Sequence, residues 1–187
     1  MVVLAAFGAA NHNAPPPASI GADLVRFSWL GFDEIGARTW YRILALRQQV
    51  FILEQECFYL DCDGWDQPAE HLLAHDACGE LAGYMRLLPP GVAYSECSFG
   101  RLVTPEARRG ERIGALLMHL CLLRARRLYG DFGMRISAQL YLRDTYARRG
   151  FTPTGDPYMD AGILHIQMTH PLKSPALHER PAKGDPS

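Results

Sequence analysis

A short loop rich in arginine and glycine is the part of the sequence best suited to bind an anion. It runs from Arg109 to Ala115, between an apolar run at residues 98–104 and a segment whose apolar residues recur at helical spacing. A strand, a loop and a helix N-terminus in this order direct unpaired backbone N–H groups and the positive end of the helix dipole at one point. Gly110 and Gly114 lack Cβ atoms, so a phosphate can approach the main chain. The loop therefore predicts a phosphate-binding site.

Three aspartates that are close in sequence, Asp61, Asp63 and Asp66, suit a different task. A nucleophilic amine arrives as a cation, so a pocket containing these carboxylates would attract it, and a base must then remove its proton. The same residues are also common in an ordinary turn, and they lack the terminal glutamate of a calcium loop, so no metal is expected. Three side chains are possible bases, and the sequence does not choose among them: Glu96, His71 and His165.

The elements that must position these residues alternate between strand and helix patterns. Alternating or apolar runs predict strands at residues 23–30, 70–75, 80–88, 98–104, 133–139, 151–158 and 163–169. Helices are expected after a Thr39 cap, after the arginine-rich loop and over residues 142–149. Such a pattern indicates an α/β fold with a mixed, mostly antiparallel central sheet and helices on both faces.

The arginine-rich loop resembles motif A of the Gcn5-related N-acetyltransferases, which reads Arg or Gln, two residues, Gly, one residue, then Gly or Ala. Arg109 and Gly114 match, whereas Arg112 stands where the family most often has a glycine. The second half also follows the family order, since Tyr146 lies shortly before the pair Gly150-Phe151 on a helix after the fifth strand.

This resemblance implies that strands four and five run parallel and splay apart, and that acetyl-CoA binds in the gap. Tyr146 would then donate a proton to the departing CoA thiolate, as a phenol with an ordinary pKa of about 10 can do. The resemblance implies that the cofactor is bound by Leu102, Val103, Thr104, Arg109, Gly110, Glu111, Arg112, Ile113, Gly114, Ala115, Gln139 and Asp144.

Residues 46–73 and the last hairpin, 158–168, are similar to the ElaA-like acetyltransferases, so the resemblance spans roughly residues 40–170. The same block resembles acyl-homoserine-lactone synthases, in which this region helps to recognise S-adenosylmethionine, an amine donor. The residues that fit the synthase pattern are Arg47, Phe51, Asp63, Asp66, Arg86 and Arg101. The pattern lacks its usual Trp here, and its fourth-strand Glu is two residues out of register at Glu96. Together these resemblances imply Glu96 as a catalytic residue and an acceptor site formed by Arg47, Phe51, Asp63, Asp66, His71, Arg86 and His165.

Composition narrows the class of protein. The chain has 187 residues, of which 48% are hydrophobic, enough for one core, and we expect one domain at residues 22–172. A formal net charge of −1 and a pI of 6.6 argue against general affinity for nucleic acid or anionic membrane. The proline-containing ends, residues 1–21 and 173–187, are expected to be a flexible extension and a disordered tail.

Localisation is suggested by the cysteines and by the N-terminal residues. The five cysteines form no C-x-x-C pair and are expected to be reduced thiols. No Lys or Arg precedes Arg26, so the basic region of a secretory signal is missing, and a cytoplasmic location is expected.

The sequence therefore predicts an acyl-CoA N-acyltransferase that moves the acetyl group of acetyl-CoA to a primary amine, on a small molecule or a protein lysine, by direct attack. Two alternatives stay open. One is an acyl-homoserine-lactone-synthase-like acyltransferase, and the other is a CoA-binding module without turnover, which Arg112 would favour. A homodimer is also open, because an apolar helix face can pack on a partner copy as well as on its own sheet.

Overall fold

A computed structural model of the chain describes residues 25–172. Its strands are β1 (Arg26–Gly31), β2 (Glu70–His75), β3 (Leu81–Leu88), β4 (Ser98–Val103), β5 (Met134–Gln139), β6 (Thr152–Asp160) and β7 (Ile163–His170). The α-helices are α1 (Ala37–Arg47), α2 (Ile113–Tyr129) and α3 (Arg143–Ala147), and a π-helical segment, Gln48–Glu54, extends α1. The predicted extension at 1–21 and the predicted tail at 173–187 lie outside the described residues.

Two antiparallel sheets meet where β4 and β5 begin. The first has the order β1-β2-β3-β4 and the second the order β5-β7-β6. Cys97 and Met134 form a parallel bridge between them, in which the Cys97 carbonyl accepts a 2.9 Å hydrogen bond from the Arg135 N–H. Beyond this point β4 and β5 share no ladder, so the two parallel strands diverge toward their C-terminal ends. The splayed strands four and five expected from the sequence are thus confirmed.

The central strands β2 and β3 bury both of their faces, because their side chains alternate between two apolar cores. Leu72 and Met85 lie in the core that contains α2, whereas Leu73 and Tyr84 lie in the core that contains Ile43 of α1. Helices therefore cover both faces of the sheet, as predicted.

A glycine on β3 lets α2 lie unusually close to the sheet. A Cβ built on Gly83 would come within 2.9 Å of both Ile113 Cγ2 and Leu117 Cδ1. Even an alanine would force the Ile113 and Leu117 side chains, or the first turns of α2 themselves, to shift, so the glycine is needed for this close packing.

Two helices differ from their predicted bounds. Helix α1 begins at Ala37 rather than after Thr39, because the Gly36 carbonyl already accepts hydrogen bonds from the N–H groups of Thr39 and Trp40 at 2.9 and 3.0 Å. Its last turns widen into the π-helical segment, where the Gln55 N–H bonds to the Val50 carbonyl at 3.0 Å. Helix α3 is shorter than residues 142–149, because the preceding turn, Leu140–Leu142, is a 3₁₀ turn.

Candidate active site

A cleft of about 550 Å³ opens between the diverging ends of β4 and β5. This volume is typical of a pocket for a small ligand. The cleft is bounded by the two strands, by the π-helical segment with the loop after it, and by the β6–β7 hairpin. Of the residues predicted for the site, Phe51, Asp63, Arg86, Leu102, Gln139, Tyr146 and His165 line this cleft.

A β-bulge on β4 shapes one wall of the cleft. Tyr84 pairs with Val103, but Arg86 pairs with Gly100, so β4 has one more residue than β3 between these two pairs. Arg101 takes up the extra length in a left-handed conformation with φ 55°. A bulge leaves main-chain groups without ladder partners. At Leu102, which lines the cleft, such groups are available to an extended ligand.

A second cavity, of about 350 Å³, lies at the N-terminus of α2. It is lined by Thr104, Arg108, Arg109, Gly110, Arg112, Ile113 and Gly114. The Arg112 carbonyl accepts the Leu116 N–H at 3.0 Å as the first helical bond, so the N–H groups of residues 113–115 have no helical partner. Gly110, at φ 92°, and Arg112, at φ 63°, both adopt left-handed conformations that turn the chain into the helix. The junction is therefore open and rich in donors, as an anion site requires.

The charged side chains of this loop have different partners. Arg108 clamps the loop, since it contacts Glu111 at 2.8 Å and Asp76 of the β2–β3 turn at 3.1 Å. Glu111 is thus engaged in holding the loop rather than facing a ligand. Arg109 is paired with Glu54 of the π-helical segment. Arg112 forms no ion pair with any residue between 25 and 172 and is exposed.

Tyr146 lies on the cleft wall opposite the β4 bulge region. Only 7% of the residue is exposed, and its ring packs 5.9 Å from the rings of both Phe99 and Phe151. Burial, with a smaller effect from Tyr141, raises the pKa of Tyr146 to about 12. The hydroxyl has no hydrogen-bond partner within the described part of the chain. Tyr146 therefore stays protonated near neutral pH and has a free donor beside the cleft.

Glu96 is poorly placed to act as a base. Its carboxylate accepts hydrogen bonds from Arg135 at 2.6 and 3.1 Å, and these bonds lower its pKa to about 2. A carboxylate of such low basicity cannot hold an amine proton near neutral pH. Glu96 is also not among the residues that line the cleft.

His71 is equally occupied, although by neutral groups. It is fully buried, its Nδ1 accepts the Tyr84 hydroxyl at 2.7 Å, and its Nε2 donates to the Asp66 carbonyl at 2.9 Å. Burial lowers its pKa, so the imidazole stays neutral. With both nitrogens bonded inside the core, His71 holds the loop around Asp66 and does not line the cleft.

His165 is the remaining candidate base, and it does line the cleft from β7. Its Nδ1 lies 2.9 Å from the Ile163 carbonyl, and because a carbonyl only accepts, the hydrogen atom must be on Nδ1. In the neutral imidazole Nε2 then carries the lone pair. Nε2 has no hydrogen-bond partner in the described structure, so it can accept a proton.

The predicted acidic pocket is a neutral cluster of ion pairs. Arg47, which is fully buried, contacts Asp61 Oδ2 at 2.8 Å and both carboxylate oxygens of Asp66 at 3.0 Å. Arg86 contacts Asp63 Oδ2 at 2.6 Å and Asp66 Oδ1 at 2.7 Å. Each of these aspartates therefore has an arginine partner, which the sequence spacing did not indicate.

A third arginine completes this Arg–Asp cluster at the edge of the cleft. Arg101 Nη2 lies 3.1 Å from Asp63 Oδ2, and its Nε lies 2.7 Å from Asp61 Oδ1 without the alignment of a hydrogen bond. Its guanidinium also lies over the rings of Phe51 and Tyr59, 5.7 and 5.1 Å from their centroids. Although burial alone would raise it, the hydrogen bonds from Arg86 keep the pKa of Asp63 below its ordinary value. The three positive and three negative charges of the cluster cancel. Its ion pairs hold the loop at residues 57–66 against α1, β3 and β4.

Gln139 and Asp144, predicted as cofactor contacts, have different surroundings. Gln139 lies on the cleft wall, donates to Gln55 Oε1 at 3.0 Å and accepts the Tyr141 hydroxyl at 2.6 Å. Asp144 is exposed, pairs with Arg143 at 2.9 Å and lies outside the cleft lining.

Several residues in or beside the cleft were not among the predicted site residues. Glu54, the last residue of the π-helical segment, and Gln55, directly after it, reach Arg109 and Gln139 respectively, so this part of the chain connects the two walls. Tyr158 and Asp160 line the cleft from β6. The sequence predicted the hairpin that contains them, but a hairpin pattern by itself does not say which of its residues face a cleft.

Two negative findings complete the description of residues 25–172. No group of His, Cys, Asp and Glu side chains there is arranged to hold a metal ion, and no helix is long and apolar enough to cross a membrane. All five cysteines, which lie within this range, are free.

Comparison with known proteins gives a consistent family. Residues 45–172 match the model of the acetyltransferase (GNAT) domain. A UPF0039 protein from Synechocystis is 42% identical over 144 residues, which is 77% of this chain and 94% of that protein. Protein ElaA from Escherichia coli is 33% identical over 147 residues, covering 78% of this chain and 95% of ElaA.

Solved structures agree with this result. The chain is similar to an acyl-CoA N-acyltransferase from Pseudomonas aeruginosa, with a TM-score of 0.74, 34% identity and coverage of 79% of this chain and 99% of that one. The crystal structure of Escherichia coli ElaA matches with a TM-score of 0.72 over the same shares of the two chains. The splayed strands, the open junction at α2 and these relatives together show that the chain belongs to the GNAT acetyltransferase family, in the branch that includes ElaA.

Proposed function

We propose that the protein transfers the acetyl group of acetyl-CoA to a primary amine by direct attack, without a covalent enzyme intermediate. One observation carries the proposal: the donor-rich cavity at the start of α2 and the cleft between β4 and β5 adjoin along one strand. Leu102 lines the cleft, and Thr104, two residues further on, lines the cavity. A ligand with a diphosphate at one end and a thioester at the other can therefore follow β4 from one to the other.

The groups around the two cavities suit the parts of CoA. The N–H groups of residues 113–115 would bind the pyrophosphate, and Gly110 leaves open space where a Cβ would meet nothing within 4 Å. Main-chain groups at Leu102 would bind the amides of the pantetheine arm. The side chain of Arg109 is exposed. It would leave its ion pair with Glu54 and bind a phosphate of CoA instead.

The proposed chemistry uses Tyr146 as the acid and His165 as the base. The amine nitrogen attacks the thioester carbonyl carbon, the carbon–sulfur bond breaks, and Tyr146 gives its proton to the CoA sulfur. The proton released by the amine goes to Nε2 of His165, directly or through a water. Holding both reactants in one cleft can contribute several kcal/mol of the acceleration.

The test is to measure acetyl-CoA binding by calorimetry and CoA thiol release with a panel of primary amines. Release that depends on the amine supports the proposal. Binding without release for any amine would instead show a CoA-binding module without turnover. Acyl-dependent consumption of S-adenosylmethionine would show the synthase-like activity.

A further inference from the structure

We infer that the acceptor amine carries a second cationic group, and that Asp160 binds this group, so the preferred acceptor is a diamine. The inference rests on the proposed function and adds a substrate class to it. It starts from the distribution of charge in the cleft and from the geometry of one hairpin.

Two carboxylates line the cleft, Asp63 and Asp160. Asp63 is bonded to Arg86 and Arg101, within a cluster whose charges cancel. Asp160 is exposed, and its carboxylate has no ion pair or hydrogen bond with any other residue of the described structure. The cleft thus has one negative charge that the protein does not compensate, and a cation entering the cleft meets it without displacing an arginine.

The β6–β7 hairpin places this carboxylate at a defined separation from the proposed base. Tyr158 pairs with His165 across the hairpin, and Asp160 pairs with Ile163. Residues two apart in a strand share a face, so Asp160 projects on the face of Tyr158 and His165. The strand rise separates the Asp160 pair from the His165 pair by about 7 Å. An amine at Nε2 of His165 therefore leaves the other end of a short chain near Asp160.

The turn holds Asp160 in place. Ala161 and Gly162, which join β6 to β7, have φ values of 46° and 83°. Two consecutive left-handed residues are the mark of a tight type I′ turn, which fixes the strand register. Ala161 adopts this conformation at a cost that a glycine would avoid. Its electrostatic influence reaches into the cleft, since burial and then Asp160 raise the pKa of the Cys57 thiol.

The rest of the wall suits the methylene chain of such a substrate. Leu60 and Trp65 line the cleft, and both are exposed. Apolar side chains can contact the methylene chain of a diamine, while its charged end lies near the uncompensated carboxylate of Asp160.

The experiment compares kcat/KM for α,ω-diamines with that for n-alkylamines of matched length, in the wild type, Asp160→Asn and Asp156→Asn. Asp156 also lies exposed on β6 but does not line the cleft, so it is a matched control for charge. We expect the wild type and Asp156→Asn to prefer diamines about tenfold, which corresponds to about 1.4 kcal/mol. Asp160→Asn should lose this preference while still acetylating monoamines.

Each other outcome is informative. Equal kcat/KM for both classes in the wild type, or an unchanged preference in Asp160→Asn, would overturn the inference and leave the proposed function intact. A wild type that acetylates no amine would contradict the proposed function, and the inference would fall with it. Asparagine is well tolerated in turns, and thermal unfolding together with Asp160→Ser would separate a folding defect from a loss of recognition.

Discussion

The two ends of the cleft are built in different ways. At the α2 end, the groups offered to a ligand are main-chain N–H groups and a glycine from one continuous stretch, residues 104–115. At the acceptor end, side chains from the π-helical segment, three strands and the β6–β7 hairpin converge, and most of their charges are already paired. In the proposed function the first end would bind a feature common to every acyl-CoA, whereas the second would be free to vary with the acceptor. We expect substitutions at the two ends to separate in the same way.

The largest effect is expected from Arg47→Met, at the acceptor end. The substitution removes one of the two arginine partners of both Asp61 and Asp66 and leaves the buried cluster with an uncompensated negative charge, which costs about 3–5 kcal/mol of the free energy of unfolding. Urea denaturation measures this loss. Arg38→Met, on the exposed side of the same helix, is the control and should change stability by less than about 0.5 kcal/mol. Equal stabilities for the two variants would mean that the Arg–Asp cluster does not hold the acceptor loop.

Tyr146→Phe should lower kcat by about 100-fold while leaving the affinity for acetyl-CoA unchanged, because it removes only the proton donor. Its hydroxyl has no partner among residues 25–172, so the fold should not be weakened. Single-turnover thiol release and calorimetry measure the two quantities. Tyr129→Phe, remote from the cleft, is the matched control. Unchanged turnover in Tyr146→Phe would remove Tyr146 from the mechanism.

Arg112→Gly tests whether the α2 end of the cleft binds CoA through main-chain N–H groups alone. Glycine relieves the left-handed conformation at φ 63°, so the free energy of unfolding should rise by up to about 1 kcal/mol. Affinity for CoA should fall several-fold if the arginine side chain contacts phosphate. An unchanged affinity would show that the N–H groups suffice, which would sharpen the contrast between the two ends.

Glu54→Gln should strengthen CoA binding by a factor of two to about five, because Arg109 would no longer have to leave an ion pair worth about 0.2–1 kcal/mol. Calorimetry at low and high salt is the measurement, and the difference between variant and wild type should shrink as salt screens the pair. Weaker binding by the variant would show that Glu54 orients Arg109 for the ligand rather than competing with it.

The smallest effect concerns Glu96. Its pKa in the folded protein, about 2, lies below its unfolded value, so the stabilisation from Arg135 is present above the unfolded pKa and is lost as pH falls toward 2. The free energy of unfolding should therefore decrease less on acidification in Glu96→Gln than in the wild type. The difference should be below about 1 kcal/mol, since the pair is partly exposed. Turnover near neutral pH should not change. A large fall in kcat would restore Glu96 as a candidate base.

Much of the fold was predictable because it depends on local pattern. The hairpin of β2 and β3 matches its predicted strands to within one residue, since alternating runs around Gly79 leave one register. The start of α1 was misplaced, because its cap is the main chain of Gly36 rather than the Thr39 side chain. The π-helical segment has no recognisable sequence pattern, so the residues that connect the cleft walls were not predicted.

The sequence by itself determined the order of the elements, the open junction at residues 104–115 and the family, because each of these depends on neighbours in the chain. Only the tertiary structure decided which charges are free. Arg47, Arg86 and Arg101 come from a helix and two strands, and their convergence neutralises three aspartates that look like an acidic pocket in the sequence. Asp160, which lies next to the tight turn of the β6–β7 hairpin, forms no ion pair with any arginine of the described structure.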